Sequence, residues 1–115
     1  MPWLVRDGKV LAALEVAETV RARTRGLLGR DGIDGAILLR PARSVHTFRM
    51  RFPIDVAFVD RDLRVLRMTT MRPNRVATSV WRARAVIEAD AGAFGAWGLQ
   101  VADQLEVRGV DGVEP

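Results

Sequence analysis

The residues best suited to chemistry in this sequence are His46, its single imidazole, and Asp55, a carboxylate set in the apolar run Ile54–Val59. Pro53 stands between them, a break that can turn the second segment back alongside the first. A His46–Asp55 dyad would suit acid–base work, because an imidazole titrates near neutrality and an adjoining carboxylate orients it. Each residue also has a structural reading. An unpaired buried charge is very costly, so Asp55 is expected to accept hydrogen bonds from backbone N–H groups or an arginine beside the proline bend. His46 can equally be a hydrogen-bonded ring packed beside Phe48 and Met50, and it is the better functional candidate of the two. A serine nucleophile is poorly served. Ser44 lies two positions from His46 on the same expected strand face, about 6–7 Å away by strand rise, and no G-x-S-x-G elbow is present.

Arginines are the second resource. Every basic residue except Lys9 is an arginine, and the spacing puts Arg49 and Arg51 on one strand face and Arg82 and Arg84 on another. Such pairs can fork around phosphate, carboxylate or sulfate oxygens, or simply form the solvated side of a sheet. Trp81 adjoins Arg82 in a loop and is the aromatic expected to be exposed, whereas Trp3 and Trp97 are expected in the core. The candidate ligand-binding residues are therefore His46, Arg49, Arg51 and Trp81.

Several chemistries are excluded by what the chain lacks. It has no cysteine, hence no disulfide, thiolate nucleophile or Cys-type zinc site, and one histidine cannot make a two-His metal site within one chain. Asp60-Arg61-Asp62 lacks the glycine and terminal glutamate of a calcium loop, and no phosphate-binding G-x-x-x-x-G-K-[ST] occurs. No metal and no cofactor is expected. With 18 basic and 14 acidic side chains the net charge is +4, and the two signs are interleaved, which disfavours nucleic acid as a partner. The opening segment carries Arg6, Asp7, Lys9 and Glu15, so it holds no uninterrupted apolar stretch of a signal peptide, and nothing approaches a spanning helix. A cytoplasmic location without a membrane partner is expected.

The elements that would position these residues are mostly strands. Trp3–Arg6 and Val10–Val16 flank Asp7-Gly8, a two-residue hairpin signal. Thr19 is an N-cap for a helix over Val20–Leu28, with Gly29 ending it. Further strands are expected at Ala36–Leu39, Val45–Met50, Ile54–Val59, Arg64–Met71, Ala85–Ala89 and Gln104–Arg108. Arg72–Arg82 reads as the longest loop and Phe94–Trp97 as a short helical turn. Seven or so short strands with one main helix predict an α+β domain, a mostly antiparallel sheet or barrel-like sandwich over residues 1–108, with a frayed tail over 109–115.

Three motifs carry a resemblance: R-G-L-L-G-R at Arg25–Arg30, T-F-R-M-R-F-P-I-D-V-A-F at Thr47–Phe58, and the stretch Glu88–Asp103. Together they resemble domain-of-unknown-function family 192 from about Lys9 to Arg108. Two positions depart from the usual pattern, Ala102 and Leu63 each standing where glycine is usual, which questions the turn geometry there. The resemblance implies a small β-rich fold with a helix and implies no activity. The combined expectation is a non-catalytic module binding a small anionic ligand or a partner protein. The alternatives are an enzyme using His46 and Asp55 on an anionic substrate and, more weakly, nucleic-acid binding.

Overall fold

The computed structural model describes residues 2–77 and 79–109. In chain order the elements are β1 Trp3–Arg6, β2 Lys9–Ala17, α1 Val20–Arg25, β3 Ala36–Leu39, β4 Val45–His46, β5 Ile54–Val59, β6 Val65–Met71, β7 Val76–Ala77, β8 Ala85–Asp90, α2 Ala93–Trp97 and β9 Glu106–Arg108. Asp7 and Gly8 both take positive φ, 52° and 76°, so the first hairpin turns as its sequence predicts.

Seven strands form one sheet in the order β6-β5-β8-β3-β2-β1-β9, while β4 and β7 pair separately. All pairings are antiparallel except β2 with β3, which run parallel because α1 carries the chain across between them. The two ends of the sheet meet. Arg64 bridges Gln104, the Val65 N–H donates to the Asp103 carbonyl at 2.9 Å, and the Leu105 N–H donates to the Leu63 carbonyl at 3.1 Å. The result is a barrel-like closure at one short seam, which satisfies edge groups that would otherwise be open.

Alternation along the strands separates two cores. Leu4, Leu14, Leu38, Val59, Ile87 and Leu105 converge on the inner side, where Phe94 of α2 closes the end. The outer side, carrying Ile37, Val56, Phe58 and Val86, is covered by Leu27, Val45, Met50 and Phe52 from the segments around α1 and β4. The outer cover is what makes the pocket described below.

Four sequence expectations are corrected here. The helix ends at Arg25 rather than Leu28, because Gly26 (φ 44°, ψ −120°) leaves helical geometry while its N–H closes onto the Ala22 carbonyl. Leu27 then turns into the outer core. The N-cap stands as expected, Thr19 Oγ1 accepting from the Ala22 N–H at 3.0 Å. The strand expected over Val45–Met50 stops after His46, and the cause is Thr47. Its buried hydroxyl donates to the Arg72 carbonyl at 2.6 Å and accepts from the Arg75 N–H at 2.9 Å, locking a turn in place of a strand. The loop expected over Arg72–Arg82 contains β7, which pairs with β4. Trp3, expected in the core, is 40% exposed. From Val110 onward the expected frayed tail lies outside the described residues.

Ala102 and Leu63 sit at the barrel seam with φ of 77° and 69°. Both turns keep the left-handed geometry that glycine would adopt freely, and the Ala102 N–H still reaches the Val65 carbonyl at 2.8 Å. The departures strain the turns without changing them.

Candidate ligand-binding site

β8 runs through the sheet between β5 and β3, so both of its edges are paired, and the two cores cover its faces. Ala85, Ile87 and Ala89 face the inner core and Val86 the outer one. By the same alternation Glu88 points outward, with Ile37 on one neighbouring strand and Val56 on the other as its cross-strand partners. The residue is only 6% exposed, and no hydrogen bond reaches its carboxyl among the described residues; its oxygens open onto the pocket described next, since no side-chain oxygen there is both sealed from solvent and unpartnered. Burial against these apolar neighbours penalises the charged form and raises its pKa from 4.5 to about 7.

Above Glu88 is a pocket of about 180 Å³. Leu27, Leu39, Val45, Met50 and Val86 supply apolar walls, and the exposed side chains of Thr24, Arg25, Ser44 and His46 stand around its mouth. Arg23 also borders it, held by donation from Nη1 to the Glu18 carbonyl at 2.9 Å. Arg25 makes no ion pair among the described residues. The site therefore combines an apolar chamber, a polar floor and a cationic rim.

Asp55 belongs to a different place. It lies on β5 next to Val56, so it faces the opposite side of the sheet from Glu88. Oδ1 accepts from the Thr70 hydroxyl at 2.7 Å, and Oδ2 accepts from the backbone N–H groups of Gly92 and Phe94 at 3.0 and 3.1 Å. The carboxylate thus caps α2 from across the fold, beside the residues following Pro53, where the Ala91 N–H also donates to the Pro53 carbonyl. His46 and Asp55 are not brought together, and the dyad considered from sequence is absent.

The other sequence candidates are dispersed. His46 is exposed, stacks on Phe48 with ring centroids 4.9 Å apart, and is the one proposed ligand residue that borders the Glu88 pocket. Arg49 and Arg51 do not share a strand face. Arg49 has φ of 64° and donates its backbone N–H to Asn74 Oδ1, whereas Arg51 pairs with Asp31 at 3.2 Å. Trp81 is 81% exposed, beside Asp60 and Arg82 and away from the pocket. Glu88 is the residue that sequence reasoning missed. The signal was available, since a carboxylate inside Ala85–Ala89 raises the same question as Asp55 inside Ile54–Val59. Among the described residues no cluster of three or more His, Cys, Asp or Glu could hold a metal ion, and no helix is long and apolar enough to cross a membrane.

Fold and pocket together define a class: a small α+β barrel-like domain with a small chamber outside the barrel. The chain belongs to the DUF192 family, described as an uncharacterized ACR, whose pattern matches residues 3–107. It is similar to two UPF0127 proteins. The one from Pyrococcus horikoshii is 31% identical over 97 residues, covering 77% of this chain and 84% of the relative. The one from Pyrococcus abyssi is 30% identical over 105 residues, covering 87% and 86%. Two crystal structures share the fold. A protein of unknown function from Novosphingobium aromaticivorans superposes with a TM-score of 0.76 at 18% identity, over 91% of this chain and 82% of that one. A provisionally named transcription regulator from Sinorhizobium meliloti gives 0.78 at 19% identity, over 92% and 91%.

Proposed function

We propose that this protein is a non-catalytic binding module for a small anionic ligand seated in the pocket over Glu88. The observation that carries the reading is Glu88, a buried residue whose carboxyl has no protein donor or counter-charge among the described residues and opens onto the floor of a chamber bordered by arginines. A chamber of about 180 Å³ corresponds to roughly six water molecules at ~30 Å³ each. That admits a compact carboxylate or phosphate ester with a short apolar body. The anionic group is drawn to Arg25 and His46 at the mouth, and the protonated Glu88 carboxyl donates a hydrogen bond to an acceptor on the ligand. Ionised Glu88 can only accept, and it repels an anion.

The proton therefore belongs to the complex, and affinity should fall as pH rises through about 7, by roughly tenfold per pH unit well above it. Calorimetric titration with a series from acetate to benzoate, and with small phosphate monoesters, at pH 6 and pH 8 tests this. Tighter binding at pH 6 is expected, with the pH dependence reduced by Glu88→Gln and its remainder, from the imidazole at the mouth, removed when His46→Gln is added. Affinity that strengthens with pH, or no binding by any member of the series at either pH, would sink the proposal.

A further inference from the structure

A second feature lies outside this pocket, at the strand where the barrel seam opens. Closure between the two ends of the sheet involves Leu63, Arg64 and Val65 on one side and extends no further along β6. Beyond Val65, β6 pairs only with β5, and the edge from Leu66 to Met71 makes no backbone hydrogen bond on its other side among the described residues. Alternate residues along this edge, three of the six, thus offer unpaired N–H and C=O groups, the arrangement to which an extended chain can add.

The open groove along this edge, bounded on its far side by β7, is basic. Arg67 and Thr69 line it from β6, Arg72 and Arg75 from the turn that follows, and no acidic residue lines it. None of the three arginines makes an ion pair among the described residues, although Asp31, Glu15, Glu18, Asp103 and Glu106 are each paired with other arginines. Arg75 is partly engaged, its Nη1 donating to the carbonyls of Pro73 and Asn74, while Arg67 and Arg72 make no side-chain hydrogen bond among the described residues. Charged edge residues ordinarily deter pairing between copies of the same chain, since like charges would meet. The same charges favour a strand of opposite sign.

We propose that the free edge of β6 binds an extended acidic peptide as an added strand. Main-chain hydrogen bonds to Leu66–Met71 fix its register, and its carboxylates alternate onto the face where Arg67, Arg72 and Arg75 stand. The two interactions are separable, and the test uses this. A fluorescent octapeptide alternating glutamate and valine is titrated by anisotropy at low ionic strength. Alongside it run the same peptide N-methylated at alternate residues and a double variant of the protein, Arg67→Glu with Arg72→Glu. Both substituted side chains project into solvent, and a thermal melt checks that the variant folds. Saturable binding, weakened at least tenfold by the charge reversal and at least tenfold by N-methylation, is expected. An N-methylated peptide that binds as tightly as its parent would show ion pairing without strand addition. Absence of saturable binding, or concentration-dependent self-association through this edge in place of peptide binding, would equally overturn the proposal.

Discussion

Asp55 on β5 and Glu88 on β8 occupy adjacent strands, and each interrupts a run of buried apolar residues. Glu88 lies opposite Val56, the immediate neighbour of Asp55, so a single residue step places the two carboxylates on opposite faces of the sheet. Inside the barrel Asp55 meets three donors and both of its oxygens are used. On the outer face Glu88 meets Ile37 and Val56 across the strands and no donor among the described residues. Their exposures are nearly equal, 5% and 6%, so burial alone does not separate a hydrogen-bonded carboxylate from one without a donor. What separates them is the number of donors within reach. A satisfied carboxylate fastens one element to another, whereas an unsatisfied one weakens the fold and is free to meet a ligand.

The comparison is most severely tested by removing each carboxylate. Asp55→Ala strands the N–H groups of Gly92 and Phe94 and the hydroxyl of Thr70, and urea unfolding at pH 7 should show a loss of about 3 kcal/mol. A loss below about 1 kcal/mol would mean that α2 does not depend on its tertiary cap.

Glu88 should behave in the opposite sense. Its folded-state pKa of about 7 exceeds the ordinary 4.5, so between those values the folded protein holds a proton that the unfolded chain has released. Stability is then fully present below pH 4.5, falls as pH rises through about 7, and levels off above it. The total contribution is on the order of 3 kcal/mol. Glu88→Gln abolishes that slope and should be more stable than the parent at pH 8. Denaturant titrations from pH 5 to pH 8 check both statements, and parallel slopes for the two proteins would place the Glu88 pKa near its ordinary value.

A finer cut is Thr70→Val, which removes one of the three donors to Asp55 and keeps the side-chain shape. The expected loss is about 1 kcal/mol, and a loss as large as that of Asp55→Ala would mean that Thr70, and not the α2 backbone, is the main partner. The smallest effect calibrates the scale away from both carboxylates. Ala102→Gly relieves a left-handed residue at the seam and should raise stability by about 0.5–1 kcal/mol, the relief of strain being partly offset by the freedom glycine has when unfolded. A lowered melting temperature for that variant would show that the turn carries no strain.

Much of this architecture was legible beforehand. Ala36–Leu39 and Ile54–Val59 are strands with the expected bounds, since short apolar runs bounded by glycine or proline leave few alternatives. The turn at Asp7-Gly8 and the cap at Thr19 follow from side-chain chemistry that acts over a few residues. Local pattern misled where a distant group intervened. The alternation over Val45–Met50 is real, but Thr47 finds the carbonyl of Arg72 and the N–H of Arg75 more than twenty residues away, and those bonds decide in favour of a turn. The site was less legible than the fold. His46 does border the pocket, whereas Arg49, Arg51 and Trp81 are scattered because the strand expected to align the two arginines does not continue through them.

By itself, then, the sequence determined the element types, the strand-rich α+β class and the family, all of which rest on periodicity, turn chemistry and motif spacing within short windows. It also marked Asp55 as an anomaly, because an acid within an apolar strand is conspicuous whatever surrounds it, and the same signal at Glu88 went unread. Only the tertiary structure decided which carboxylate is bonded. Whether a buried carboxylate is satisfied depends on which donors the fold delivers to its face of the sheet. Those donors come from α2 and β6 for Asp55, while Glu88 faces the apolar side chains of β3 and β5 and an open chamber. Hydrogen bonds act over about 3 Å, and no pattern in the chain order states which segments will come that close.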